Sequence, residues 1–308
     1  MPLISIIAPV YKCADSIDEL YARLTKTLPQ ISHDYEIIFV NDGSPDDAWE
    51  IISLLAKNDK KVKGINFSRN FGQHNAITAG LELAKGDWLI IMDCDLQDQP
   101  EEIIKMHNKC MEGYDYVAAI RKDRKDNFVK VWFSKTFYFI LGYLTGVRQE
   151  NRVGNFGIYH RKVIAAVLSM KDYVRYFPSM VKWVGFNYTC VEVEHSQRKT
   201  GKTSYSFYKL LKLALNVILS FSDKPLKLTV KFGFFLSLLS FIYALYIIVR
   251  VVLFGSVVLG WSSLIVTLTF FFGIIIFLIG LLGLYVGKIF EKVKDRPRYI
   301  ISEKLNYD

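Results

Sequence analysis

An α/β domain with a mostly parallel sheet, followed by an interfacial helix and two transmembrane helices, is the fold class this sequence predicts. Three observations predict it. Short apolar, β-branched runs alternate with segments of helical periodicity from the N-terminus to Ile120, the pattern of βαβ units. The composition then changes abruptly at Pro225, after which charges become sparse. Two long apolar stretches follow, Phe232–Val249 and Leu264–Val286, each near the ~20 residues a helix needs to cross a bilayer. With 308 residues the chain exceeds one ordinary domain, so one large domain plus an appendage is the natural division.

The elements follow in order. Ile4–Val10 is a β-branched run that ends at Tyr11 and reads as the first strand. Ile17–Thr27 reads as a helix, because Ile17, Leu20 and Leu24 recur at helical spacing. Glu36–Val40 is the second strand, closed by the turn-rich Asn41-Asp42-Gly43-Ser44-Pro45-Asp46-Asp47, and Trp49–Lys57 follows as a helix. The alternation continues through Val62–Phe67 (strand), Asn75–Ala84 (helix), Trp88–Met92 (strand), Pro100–Glu112 (helix) and Tyr116–Ile120 (strand). In such sheets ligands bind beyond the carboxyl ends of the strands. The polar clusters at Tyr11, Asp42, Ser68–Gly72 and Asp93–Asp98 all follow strands, so they are expected to converge on one crevice.

Tyr205–Phe221 carries apolar residues at helical spacing, with Lys209 and Lys212 on another face. That pattern suits a helix lying on a membrane surface; an ordinary core helix shares it. The second apolar stretch holds no charged residue, and the first spans comfortably with Val251–Phe254 if Arg250 reaches the interface along its own stem. Buried helices of soluble domains rarely run so far without a polar face. The linker Gly255–Ser263 has no Lys or Arg. The outer flanks hold Lys224, Lys227 and Lys231, then Lys288, Lys292, Lys294, Arg296 and Arg298, which predicts both ends cytoplasmic and the linker outside. Leu3–Val10 is too short for a signal peptide. The expected division is 1–204 as a cytosolic domain, 205–227 as a juxtamembrane helix, 228–290 as two spans and 291–308 as a cytosolic tail, in an inner, plasma or ER-type membrane.

The net charge of +9 lies largely beside these apolar segments, where attraction to anionic lipid headgroups accounts for it. No basic stripe with interleaved aromatics points to nucleic acid. Cys13, Cys94, Cys110 and Cys190 are scattered without a CxxC pair, which argues against a zinc site or a disulfide framework and for a reducing compartment.

The strongest motif is Gly86-Asp87-Trp88-Leu89-Ile90-Ile91-Met92-Asp93-Cys94-Asp95-Leu96-Gln97-Asp98. Residues two apart in extended chain share a face, so Asp93, Asp95 and Gln97 can approach one cation while Cys94 points the other way into the packing. Hard oxygen ligands of this type suit Mg²⁺ or Mn²⁺ bridging to substrate phosphates. Asp42 ends a strand directly, where its carboxylate can accept from a base N–H, whereas Ser44 and Asp46 have the simpler reading of turn and cap residues. Ser68-Arg69-Asn70-Phe71-Gly72-Gln73-His74-Asn75 follows a strand and opens a helix, so its N–H groups and Arg69 can meet an anion. His74 invites the role of general base, but a loop histidine without a carboxylate partner is more often structural. Gly201-Lys202-Thr203 imitates the end of a P-loop, yet Ser196 stands where the first glycine is required. The run Arg198–Ser204 reads instead as a basic loop closing over phosphates, with a solvated charge run as the alternative.

Together Pro9-Val10-Tyr11, Asn41-Asp42-Gly43-Ser44-Pro45-Asp46, Ser68-Arg69-Asn70-Phe71-Gly72, Asp93-Cys94-Asp95-Leu96-Gln97-Asp98 and Arg198-x-x-Gly201-Lys202 resemble family 2 glycosyltransferases. More narrowly, they are similar to the polyprenyl-phosphate group of dolichol-phosphate mannose synthases and bactoprenol glucosyltransferases. The resemblance runs through the two C-terminal helices and the tail Asp295-Arg296-Pro297-Arg298-Tyr299. It implies a GT-A, Rossmann-like fold and inverting transfer from a nucleotide-sugar donor to undecaprenyl or dolichyl phosphate. By motif match, Pro9, Tyr11 and Asp42 contact the base and ribose, Asp93, Asp95 and Gln97 hold metal and diphosphate, and Arg198 with Lys202 clamps the diphosphate. Arg121 and Ser134 match positions for the lipid phosphate.

One departure stands out. Relatives carry an aspartate, a proposed catalytic base, where this chain has Asn155 in Gly154-Asn155-Phe156-Gly157-Ile158, and an amide cannot take that proton. A phosphomonoester is already largely anionic at pH 7 and needs little base assistance; alternatively, the sugar or the acceptor differs. Transfer to a lipid-linked oligosaccharide and a non-catalytic nucleotide-sugar-binding subunit stay open as alternatives. Gly273, Gly280, Gly283 and Gly287 could let the spans pack against a second copy.

Overall fold

The computed structural model describes residues 3–121, 153–170, 176–194, 224–254 and 260–307. Ser134, Arg198, Lys202 and the expected interfacial helix Tyr205–Phe221 lie outside the described residues. The chain divides into two compact units. One holds the sheet and, with it, the C-terminal residues 296–307; the other holds the two long apolar helices.

The alternation read from the sequence builds the first unit. Strands β1 (Ile4–Val10) and β2 (Tyr35–Asn41) are buried along their whole length. They are the continuous apolar runs expected of strands covered on both faces. Strands β3 (Val62–Phe67) and β4 (Trp88–Ile91) complete a parallel set, with β1 pairing both β2 and β4, and β2 pairing β3. Helices α1 (Ala14–Thr27), α2 (Ala48–Asn58), α3 (Gln73–Leu83) and α4 (Glu102–Cys110) connect or follow these strands. Ile17, Leu20 and Leu24 of α1 are fully buried; each such side chain contributes on the order of 1.5–3 kcal/mol. Helix α1 begins at Ala14 rather than Ile17 because Asp46, from another loop, accepts the Ala14 N–H at 3.1 Å.

The remaining strands make the sheet mixed rather than simply parallel. Strands β5 (Tyr116–Arg121), β6 (Val153–His160), β7 (Tyr188–Val193) and β8 (Ile301–Leu305) give the order β7-β5-β6-β4-β1-β2-β3-β8. Here β6 is antiparallel to β4 and β5, β8 is antiparallel to β3, and β5 pairs β7 in parallel. Sequence periodicity does not reveal β6, whose Gly154 and Gly157 weaken any local strand preference. Packing demands one of them: a Cβ at Gly157 would fall 2.6 Å from the Tyr159 hydroxyl and 2.9 Å from the Val117 carbonyl. Tyr116 stacks on Tyr159 and on Tyr188, with centroids 5.6 and 4.9 Å apart, and this ladder ties β5, β6 and β7 together. Helices α5 (Arg161–Ser169) and α6 (Phe177–Trp183) follow β6.

The second unit contains α7 (Lys224–Phe254) and α8 (Trp261–Val293). Both are long and apolar enough to cross a membrane. Large apolar side chains among the described ones face outward: Phe234 is 73% exposed and Ile276 69% exposed.

Candidate active site

Strands β1 to β4 run in one direction, so the loops after them emerge at one edge of the sheet. Polar contacts knit those loops together. The Lys12 amide donates to Ser44 Oγ at 2.7 Å, which joins the β1 loop to the β2 loop. Ser44 is itself hydrogen-bonded to Asp46, which caps α1. The β2 loop then reaches the β3 loop through Asp42. Its carboxylate accepts from the Phe71 amide at 2.7 Å and from the Gly72 amide at 2.9 Å. Gly43 makes this approach possible. Its φ of +60° suits glycine, and a Cβ there would sit 2.5 Å from the Arg69 carbonyl carbon. From the β3 side, Gln73 Nε2 donates to Asp93 Oδ1 at 2.7 Å and so reaches the β4 loop.

A covalent link closes the circuit. Cys13, after β1, and Cys94, between the two aspartates, form a disulfide with Cα atoms 6.5 Å apart. This corrects the expectation that the scattered cysteines stay unpaired. The physical reason is the sheet: Ile7 pairs Ile91, so both sulfurs lie just beyond adjacent strand ends although 81 residues separate them in sequence.

The Asp93–Asp98 segment is a turn rather than the extended chain expected from the sequence, because β4 ends at Ile91 and the backbone bends at residues 94–97. Cys94, Leu96 and Asp98 are buried, whereas Asp93, Asp95 and Gln97 are half-buried. Asp95 Oδ1 accepts the Gln97 amide at 3.2 Å, a local turn that occupies one of its oxygens. Leu96 lies in the left-handed region at φ 58°, a strained conformation for a residue with a side chain. Among the described residues no cluster of three or more His, Cys, Asp or Glu side chains could hold a metal ion. Two carboxylates and an amide fit a Mg²⁺ or Mn²⁺ that completes its shell with substrate phosphates and water.

The other predicted residues distribute as follows. Pro9 is buried within β1, and Tyr11 is 45% exposed just beyond it. Arg69 is exposed, with its guanidinium 4.2 Å from the centre of the Phe71 ring. Burial pushes the Asp42 carboxyl above the usual carboxylate range, although the Phe71 and Gly72 amides pull it back. Asn155 is half-buried on β6. The β4–β6 register ends at Ile91 opposite Gly157, and because β6 is antiparallel to β4, Asn155 lies toward the edge from which the β4 loop emerges. Arg121 ends β5, which runs parallel to β4 with β6 between them, so it stands at the same edge of the sheet as the four knitted loops, two strands from β4.

Sequence reasoning missed Gln73, Cys13 and the bridging role of Ser44. The available signal was their position next to strand ends. His74 packs edge-on against Tyr176 at 5.1 Å, and desolvation pushes its pKa down to about 4. It is therefore neutral at pH 7 and a weak base.

Comparison with known proteins accords with this geometry. The sequence model of Glycosyl transferase family 2 matches residues 5–168, the stretch holding all four loops and β6. A glycosyltransferase designated YkcC, from Bacillus subtilis (strain 168), is 40% identical over 97% of this chain and 93% of its own. The SfII prophage-derived bactoprenol glucosyl transferase of Shigella flexneri is 35% identical over 97% of both chains. In fold, the chain matches glucosyl-3-phosphoglycerate synthase from Mycobacterium tuberculosis, solved with Mn²⁺, uridine diphosphate and phosphoglyceric acid. The TM-score is 0.53 at 13% identity, over 71% of this chain and 77% of that one. With a GT-A-like sheet, knitted loops at its edge and full-length relatives of this kind, the chain belongs to glycosyl transferase family 2 and is a glycosyltransferase.

Proposed function

We propose that this glycosyltransferase moves a sugar, with inversion, from a nucleotide-sugar donor to a polyprenyl phosphate such as undecaprenyl or dolichyl phosphate at the cytoplasmic membrane face. One observation carries the reading. Four loops after parallel strands are cross-linked into a single edge, with Asp93 and Asp95 half-buried in the last loop. The bactoprenol glucosyl transferase relative supports the acceptor, and the length and apolar character of α7 and α8 support work beside a lipid surface.

Each residue then has a task. Pro9, Tyr11 and Asp42 border the place for base and ribose. Asp42 also fixes the Phe71–Gly72 backbone, which leaves Arg69 on its aromatic ledge facing an anion. Asp93, Asp95 and Gln97 would hold Mg²⁺ or Mn²⁺, which when bound supplies charge neutralisation at the nucleotide diphosphate leaving group. Arg198 and Lys202 would close over that diphosphate, while Arg121 and Ser134 would receive the acceptor phosphate. Asn155, near the edge where the β4 loop emerges, would orient rather than deprotonate. The acceptor phosphate, with a second pKa of about 6, is already an anionic nucleophile at pH 7, so positioning supplies most of what a base would.

Membranes carrying the chain, incubated with UDP-, GDP- and dTDP-sugars, Mg²⁺ or Mn²⁺ and undecaprenyl or dolichyl phosphate, should form a sugar–lipid and release nucleotide. Asp95→Ala should slow this by at least about 100-fold, the scale for losing a key electrostatic element. Full turnover in that variant would reject the metal assignment. Donor binding without lipid-dependent nucleotide release would make the chain a binding subunit instead.

A further inference from the structure

The segment that follows α8 returns to the sheet and reaches the donor-side loop. Strand β8 lies along β3, with Asn66 opposite Glu303 and Phe67 opposite Ile301 across an irregularity between Asn66 and Phe67. There the Ser68 amide donates to the Ile300 carbonyl at 3.0 Å, and the Ser302 hydroxyl donates to the Asn66 carbonyl at 3.1 Å. The Tyr299 ring stacks on Phe67, with centroids 5.0 Å apart and planes at 15°, and its hydroxyl is bonded to Glu82. Phe67 meets Phe71 edge-on at 5.7 Å, and Phe71 carries the Arg69 guanidinium on its face. The loop Ser68–Gly72 is therefore gripped from two sides, by Asp42 through the Phe71 and Gly72 amides and by the tail through Ser68 and Phe67.

We propose that Tyr299 is a positioning residue for donor binding: the C-terminal tail clamps the Ser68–Gly72 loop through the Tyr299–Phe67–Phe71 stack and so presents Arg69 to the donor diphosphate. The functional half of this inference rests on the proposed nucleotide-sugar site. A loop ordered before the donor arrives need not be ordered by it, and that lowers the entropic cost of binding. The Asp93–Asp95 segment is held by Gln73 of α3 and by the Cys13–Cys94 link at the start of α1, and the clamp is expected to act on donor affinity more than on the chemical step.

The test uses the full chain in detergent or nanodiscs, with UDP-glucose and Mn²⁺ as the probe donor and GDP-mannose as a second. Tyr299→Ala should raise the donor KM about 10-fold, the equivalent of one lost aromatic stack with its packing, and change kcat by less. Tyr299→Phe keeps the stack without the Glu82 bond and should stay within about twofold of wild type. Asn306→Ala loosens the same tail at its far end, where the amide donates to the Ala56 carbonyl at 2.6 Å and the Val62 carbonyl at 2.8 Å. That variant should lower the Tm while leaving the donor KM unchanged. Hydrogen exchange without donor should quicken at Ser68, Phe71 and Gly72 in Tyr299→Ala, and not in β1 or β2. Loop amides as protected as in wild type, or a donor KM raised equally by Asn306→Ala, would overturn the clamp. A wild-type chain that turns over no nucleotide sugar would sink the proposed function alone, and the exchange measurement would still decide whether the tail holds the loop.

Discussion

Glu36 illustrates how single residues carry both stability and pH response. It lies 4% exposed in β2, paired with Lys63, and accepts from the Lys85 amide at 2.6 Å and the Ser5 hydroxyl at 2.5 Å. Burial pushes its carboxyl up, but Lys63, the Lys85 amide and Ser5 together outweigh that and hold it below the ordinary 4.5. Because the folded pKa is depressed, ionised Glu36 stabilises the fold above pH 4.5, and this contribution is lost as the pH falls through the folded value. Glu36→Gln strands Lys63 and should cost about 3 kcal/mol at pH 7. It should also flatten the acid limb of a plot of Tm against pH. An unchanged limb would place the linkage elsewhere. Gly43 gives a second residue-scale expectation. Alanine there meets both the left-handed backbone and the Arg69 carbonyl carbon, so Gly43→Ala should destabilise by about 3 kcal/mol and weaken donor binding. Thermal melting in detergent measures the first effect and donor titration the second.

Among the elements, the loops after β1 and β4 are joined more tightly than their sequences suggest. The Cys13–Cys94 link closes a loop of 81 residues. Cys94→Ala should therefore lower stability by roughly 2–4 kcal/mol. Peptide mapping of the denatured, unreduced chain should alkylate Cys110 and Cys190 and recover Cys13 and Cys94 as one linked species. Recovery of all four as free thiols would refute the link. Strands β1 to β4 and their helices were legible because each segment carries its own periodicity and turn chemistry. Strand β6 was not, since its glycines speak against a strand until Tyr159 and Val117 are packed against them. Strand β8 was not, since only the exposed edge of β3 selects it.

For the molecule as a whole, α7 and α8 display Phe234, Leu253, Ile276 and Val293 to the outside, each at least 67% exposed. A surface of that size and character belongs in an apolar medium rather than in water. The chain should therefore stay with membranes through an alkaline carbonate wash and leave only with detergent. Ile276→Arg should impair insertion by about 3 kcal/mol, measured as the membrane-bound fraction. Release of the unmodified chain by carbonate would contradict the spans.

Several features were determined by local sequence alone: the alternating α/β pattern, the two apolar helices, the acidic pair at a strand end and the family those motifs resemble. Each depends on residues close together in the chain, where periodicity, turn residues and composition act directly. Tertiary structure alone decided which loops meet. Asp42 with Phe71, Gln73 with Asp93, Cys13 with Cys94 and Tyr299 with Phe67 are distant in sequence. The order of strands in the sheet makes them neighbours, and no local preference encodes that order.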